Sequence, residues 1–351
     1  QTSIGIKKKN YQIKLLQKLL ILFKYGYPSF WSKNNNLIEK IIIFILLPFS
    51  FIFFLISKID KKVKKINKVG IPVICIGNIN TGGSGKTPFA IYLANLLKKK
   101  KINTHIVSRG YLGKLRGPIK VNLKKHSSND VGDEALLLAN ETDTWVSKNK
   151  FEGALKATLD GADVIILDDG LQNYSLYQDL KILIVDGGFG FGNEFILPAG
   201  PLRETINSGV KKSDILILFN KDKNCIEKKI KNKIPVIHGN SKIKKFSNLK
   251  NKKIIGFSGM GRPEKFYSSL KEKKLNILKF FSFPDHYLYS KKKIDSLIKY
   301  AKKNNSILVT TLKDKQRINF YQRKKIFFLD LEIEIKEERK LINFLKKRKI
   351  V

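Results

Sequence analysis

"IPVICIGNINTGGSGKTPFAIYLANLL", residues 71–97, decides the fold. Residues 71–77 are a short β-branched apolar run of the kind that makes a buried parallel strand. The glycine-rich turn follows at once, and residues 89–97 then carry apolar positions at helical spacing. Strand, glycine-rich turn and helix, in that order, are the setting a P-loop requires. Gly82, Gly83 and Gly85, with Ser84 between them, let successive backbone N–H groups point at phosphate oxygens. Lys86 places an ammonium on the terminal phosphates, and the Thr87 hydroxyl can ligate Mg2+. The pattern departs from GxxxxGK[ST] at one point, because Asn80 stands where the first glycine belongs; the doubled glycine at 82 and 83 compensates.

An α/β nucleotide fold should next offer a strand ending in aspartate. "ADVIILDDGLQNYSL", residues 162–176, is an apolar run closed by Asp168 and Asp169. A single aspartate there would often cap a helix, but a pair in register with a P-loop points to a metal. "LKILIVDGG" (180–188) ends the same way in Asp186, and "SDILILFNK" (213–221) makes a fourth strand. Strands separated by helical stretches predict a parallel sheet with right-handed crossovers.

With 351 residues, 42% of them hydrophobic, the chain can bury more than one core and is not a disordered polymer. Its two cysteines, Cys75 and Cys225, form neither a metal-ligand spacing nor a disulfide framework. The net charge of +40 would suit nucleic acid, anionic lipid or a phosphorylated substrate. The excess is lysine, since only eight of the 69 basic residues are arginine. Four arginines fall in glycine- or proline-marked loops: Arg109, Arg116, Arg203 and Arg262. There the planar fork suits bidentate contact with phosphate or carboxylate.

Residues 37–57, "LIEKIIIFILLPFSFIFFLIS", hold no charge from Ile41 to Ile56. A helix over that charge-free run extends roughly 24 Å, short of the roughly 30 Å hydrocarbon core, and Pro48 predicts a kink or break. A bent helix dipping into one leaflet is the expectation, with a buried core helix as the alternative. Upstream, residues 11–28 alternate lysine and leucine as an interfacial helix would. The apolar run starts too far along for a removable secretory signal, and basic flanks favour the cytoplasmic face.

"GNINTGGSGKTPF", "SRGY", "GDEALLLA", "DDGLQNY", "LPAGPLRE", "FSGMGRPEKF", "FPDHY" and "TTLKD", in this order, resemble the tetraacyldisaccharide 4'-kinases of lipid A biosynthesis. The resemblance covers most of the chain. It implies an enzyme on the cytosolic face of the inner membrane that uses ATP and Mg2+. Its substrate would be an acylated disaccharide 1-phosphate, which receives the γ-phosphoryl of ATP on its 4' hydroxyl. It further implies Asp133 as catalytic base with His286 as its partner, and Glu204 and one of Asp168 or Asp169 at the magnesium. Arg203 would stand beside them, and Gln172 near substrate or γ-phosphate. Asn173 replaces a histidine of the family pattern, so a proton-carrying role there is lost while an amide hydrogen bond to substrate is kept. Arg109 would hold a phosphate. Leu112 replaces a glycine, and Leu312 a glutamate. Read without the resemblance, Asp133 could be a helix N-cap and His286 a turn residue.

The expected architecture is therefore α/β: a P-loop NTPase-like parallel sheet with flanking helices over 70–221, a membrane-associated helical segment over 1–69, and a smaller α/β domain over 222–351 that closes the cleft. No nucleic-acid partner is expected. The competing function is a membrane-associated P-loop ATPase of switch or partitioning type, binding nucleic acid through its lysines.

Overall fold

The computed structural model describes residues 27–63, 66–230, 233–244 and 246–351. The interfacial helix expected over 11–28 lies outside them apart from Tyr27 and Pro28.

Twelve strands form one sheet: β1 (Val73–Gly77), β2 (Thr104–Ser108), β3 (Ile119–Lys120), β4 (Thr144–Val146), β5 (Val164–Asp168), β6 (Leu180–Asp186), β7 (Ile215–Phe219), β8 (Val236–Lys244), β9 (Lys253–Ser258), β10 (Asn276–Ser282), β11 (Ile307–Thr311) and β12 (Phe327–Ile335). Their spatial order is β10-β9-β11-β12-β8-β7-β6-β1-β5-β2-β4-β3. Pairing is parallel except at β8–β12 and β3–β4. All five residues of β1 are buried, which is why its sequence is an unbroken apolar run and not an alternating one. On one face Ile74 and Ile76 meet Phe89, Leu93 and Leu97 of helix α2 (Lys86–Lys99); on the other, Cys75 joins Leu183, Leu216 and Phe191. β1 lies between β5 and β6, where successive crossovers leave in opposite directions. The turn leaving β1 thus opens at a switch point, the place where such sheets bind ligands.

The sheet does not stop near residue 222. β8 continues parallel to β7, and β12 runs back antiparallel beside β8. Ile237, Ile333 and Ile335, with Leu341 and Leu345 of the helix Glu338–Lys347, complete the same core that α2 packs on. The remaining part of the C-terminal region has cores of its own, around Phe257 and Leu297 and around Phe266 and Leu270. We refer to the β9–β11 region as the second lobe.

The N-terminal apolar stretch is a single helix, α1 (Leu37–Val63), which runs through Pro48 without a break. Its window Leu37–Lys58 has a mean hydropathy of 2.5 and is only 11% buried, which overturns the buried-core alternative. By length and composition it could cross a membrane. Ile43, Leu46, Leu47 and Ser50 make the one docked stripe, at helical spacing. Ser50 Oγ donates to the Ile196 carbonyl (2.9 Å) and accepts from the Ala199 N–H (3.1 Å), fixing the helix to the loop after β6.

At Gly77 the chain approaches the loop after β5 so closely that an added Cβ would lie 2.3 Å from Leu171 Cβ. Gly77→Ala is expected to cost roughly 1–3 kcal/mol through overpacking, read as a lowered urea midpoint at unchanged m.

Candidate functional site

The P-loop is shaped by two residues with left-handed backbone, Gly82 (φ 98°) and Gly85 (φ 99°), the latter the N-cap of α2. A side chain is strained at either angle. Asn78, at the end of β1, holds the loop from within: its Nδ2 donates to Ser84 Oγ (2.9 Å) and its Oδ1 accepts from Lys86 Nζ (3.0 Å). Asn80, the departure from the glycine pattern, donates to the Gly190 carbonyl (2.8 Å), while the Thr81 and Arg203 N–H groups donate to Pro201 and Ile79 carbonyls. The side chain that replaces glycine therefore ties the P-loop to the loop after β6, and the backbone of Ile79 and Thr81 ties it to the "PAGPLRE" segment.

Asp168 and Asp169 reach this loop from the tip of β5. Lys86 Nζ lies 3.6 Å from Asp169 Oδ1, and Arg203 Nη1 donates to both Asp169 oxygens at 2.9 Å. Burial works to raise the Asp169 carboxyl, but Lys86 and Arg203 outweigh it and hold it well below the usual carboxylate range. Asp168 is different. Its Oδ1 is buried without a hydrogen-bond partner, and burial, reinforced by the nearby Glu134 and Asp169 charges, pushes its carboxyl up to about 7. Glu204 is already engaged: Oε1 accepts from Gln172 Nε2 (3.0 Å) and Lys212 Nζ (2.5 Å), and Oε2 from Ser208 Oγ (3.0 Å). Gln172 also donates to the Asn78 carbonyl (2.9 Å), tying the β5 tip to the P-loop.

Asp133 opens the helix Asp133–Ala139, whose N-cap is Gly132, so the capping alternative for Asp133 does not hold. Its carboxylate accepts the Glu134 N–H (2.9 Å), and both its oxygens lie 3.1 Å from His286 Nδ1, on a residue 153 positions away in the second lobe. Burial favours the neutral acid at Asp133, but Lys313, His286 and Arg317 together hold it below the ordinary carboxylate range. His286 has φ 55° and Asp169 φ 54°. Two of the site's non-glycine residues thus sit in the left-handed region, a strain that clusters at functional sites.

P-loop residues 82–87, Arg109, Asp168, Asp169, Gln172, Arg203, Glu204 and His286 all line one cleft of 2380 Å3. Asp133 stands directly behind His286. Asn173 is not among the lining residues, and its Oδ1 accepts from the Ser175 and Leu176 N–H groups and from Ser175 Oγ, holding a turn. Asp186 closes β6, as the sequence suggests. Arg262 (3.0 Å) and Lys265 (2.7 Å) of the second lobe pair with it and, against burial, bring it down to about 2. Arg262 donates as well to the Gly83 carbonyl (2.8 Å), so the second lobe touches the P-loop itself. Leu112, where the resemblance implies glycine, holds φ 62°, an angle glycine adopts without strain.

Sequence reasoning missed Asn78, Glu134, Lys150 and Lys313. Lys150 is buried and donates to the Val107 (2.9 Å) and Asp168 (3.0 Å) carbonyls, and burial pushes its ammonium down to about 8. One lysine among dozens carries no signal that it will be the buried one. Away from the cleft, His105, Asp143 and Asp160 cluster closely, with Lys120 already paired to both carboxylates at 2.8 and 2.6 Å.

A phosphate loop beside acidic strand tips, facing an aspartate–histidine pair across a cleft, defines a phosphotransferase of the P-loop class. A profile of the tetraacyldisaccharide-1-P 4'-kinase family matches residues 42–349. The tetraacyldisaccharide 4'-kinase of Paramagnetospirillum magneticum is 38% identical over 88% of this chain and 94% of its own length. That of Rhodopseudomonas palustris is 33% identical over 92% and 96%. The crystal structure of LpxK from Aquifex aeolicus in complex with ATP superposes with a TM-score of 0.73 at 31% identity, covering 88% of this chain and 99% of that one. The chain belongs to the tetraacyldisaccharide 4'-kinase family, an ATP-dependent kinase family of lipid A biosynthesis. The switch or partitioning ATPase reading is not favoured by these matches.

Lys150→Met would leave two buried carbonyls without their charged donor. The expected loss is about 2–4 kcal/mol of stability, measured by chemical denaturation.

Proposed function

We propose that this chain transfers the γ-phosphoryl group of ATP to the 4' hydroxyl of a tetraacylated glucosamine disaccharide 1-phosphate, at the cytoplasmic surface of the inner membrane. The observation that carries this reading is the continuity of the cleft. Phe53, Phe54, Ser57 and Lys58 of the apolar helix line it together with the P-loop, Asp168 and His286. A molecule with acyl chains and a charged sugar matches such a lining, since its chains can follow α1 while its head group reaches the phosphates.

Lys86 and the N–H groups of residues 82–87 would hold the triphosphate, and phosphoryl transfer depends mainly on such positioning and charge. The buried Oδ1 of Asp168, without a hydrogen-bond partner among the described residues, and Thr87 line the same cleft and suit a divalent cation. Thr87 and Asp168 would hold Mg2+, and Asp169 and Glu204 would act through Lys86, Arg203 and Lys212, to which they are already paired. Mg2+, when bound, supplies neutralisation of charge on the terminal phosphates. Asp133 and His286 would take up the proton of the attacking hydroxyl as one coupled unit, the imidazole at the cleft and the carboxylate behind it. Arg109, exposed in the same cleft, and Arg203 would hold anionic oxygens of the substrates. Because His286 belongs to the second lobe, the approach of the two lobes would complete the site.

The test is transfer of radiolabel from ATP to acylated glucosamine disaccharide 1-phosphate presented in detergent micelles. Lys86→Ala is expected to lower transfer at least about a hundredfold. ATP turnover at full rate without any lipid acceptor would overturn the reading.

A further inference from the structure

Behind the Asp133–His286 pair lies a buried ionic chain that the P-loop chemistry does not call for. Asp314, fully buried after β11, accepts from the Gly259 N–H (3.0 Å), Tyr289 Oη (2.8 Å), Thr311 Oγ1 (2.8 Å) and Arg317 Nη2 (2.7 Å). These donors come from the ends of β9 and β11 and from the loop beyond β10, so the carboxylate knots the top of the second lobe. Arg317 hangs from that knot. Its Nη1 donates to the carbonyl of Tyr287, the residue after His286, at 3.2 Å. Its Nη2 donates to the Gly259 carbonyl (3.0 Å), which also accepts the His286 N–H (3.1 Å). Its third nitrogen, Nε, is buried and lies 3.2 Å from Asp133 Oδ2 as an ion pair, while making no hydrogen bond among the described residues. One planar cation thereby grips the backbone that carries His286 and sets its positive charge beside the carboxylate that His286 meets.

We infer that Arg317, anchored by Asp314, is a positioning residue of the kinase reaction: it sets the Asp133–His286 pair in register across the two lobes and keeps Asp133 an anion. This rests on the proposed role of that pair. A lysine could not do the same, because a single ammonium cannot bond two carbonyls and two carboxylates in one plane. Asp133 is faced by Lys313 and Arg317 from the segment after β11, by His286 from the loop after β10 and by Glu134 on its own helix. Burial opposes its ionisation, and removing the guanidinium takes away one of the charges, with Lys313 and His286, that counter that burial. Its protonation then moves to higher pH, and the active form is lost sooner as pH falls.

The experiment compares Arg317→Lys and Arg317→Gln with wild type for ATP affinity, thermal melting, kcat, KM and the pH profile of kcat. Both variants are expected to bind ATP within about threefold of wild type while kcat falls at least about thirtyfold. In Arg317→Gln the acid limb of kcat should rise by about one pH unit or more. Combining Arg317→Lys with His286→Ala should cost little beyond His286→Ala alone, because residues acting as one unit are not additive. A folded variant with wild-type kcat and pH profile, or strictly additive losses, overturns the inference. Should neither Arg317 variant fold, Tyr289→Phe decides: a fall in kcat of about threefold or more at unchanged ATP KM supports the chain, and wild-type kcat overturns it. Asp133→Asn and His286→Ala are measured alongside. If they retain transfer, the role of the pair itself fails; if they lose it while the Arg317 variants do not, this inference alone fails.

Discussion

Two carboxylates side by side at the tip of β5 repel each other, and the cleft is organised around keeping them in different states. Asp169 is clamped by Arg203 and Lys86, so its charge is neutralised locally. Asp168 has no such partner, and burial together with its neighbours' negative charge raises it to about 7. The same strand tip thus holds one clamped anion and one carboxyl that burial pushes toward its neutral form. Gln172, Glu204 and Lys212 extend the arrangement by hydrogen bonds that tie the β5 tip, the P-loop and the "PLRE" segment into one network. A change in any one of them is felt by the rest, because a buried polar group left unpaired is costly.

The second lobe reaches this network at two points. Arg262 binds the Gly83 carbonyl and Asp186, while His286 and Arg317 meet Asp133. Both contacts are ionic or charge-assisted, and both link elements far apart in sequence. At the cleft the second lobe is therefore held mainly by charge. The left-handed backbone at His286 lies at the second of these junctions, and that at Asp169 lies within the clamp of Arg203 and Lys86, where surrounding bonds sustain it.

Helix α1 completes the picture from the outside. Its docked stripe is narrow, and large side chains such as Phe44, Ile45 and Phe51 remain exposed. Soluble monomers rarely leave so contiguous an apolar surface in water. Further along the same helix, Phe53 and Phe54 line the cleft that holds the phosphate loop.

Several of these features were legible in the residues themselves. The β-branched run before "NINTGGSGKTP" marked a central strand because only a strand covered on both faces is apolar throughout, and β1 is so covered. The aspartate pair, the P-loop lysine and the apolar segment were likewise visible, because each depends on neighbours close in sequence. Beyond the Asp133–His286 pair, which the family resemblance implied, what the sequence could not reveal was partnership. Nothing local distinguishes Lys150 or Arg317 from other basic residues, yet one supports the backbone of Asp168 and the other faces Asp133. Nor could the sequence show that Asn173 would turn inward to hold its own loop, that Asp186 would be taken by the second lobe, or that α1 would run unbroken through Pro48. Chain-local sterics and periodicity determine strands, turns and helices. The pairing of charges across hundreds of residues is decided only when the folded sheet brings them within a few ångströms, where the cost of burying an unpaired ion selects each partner.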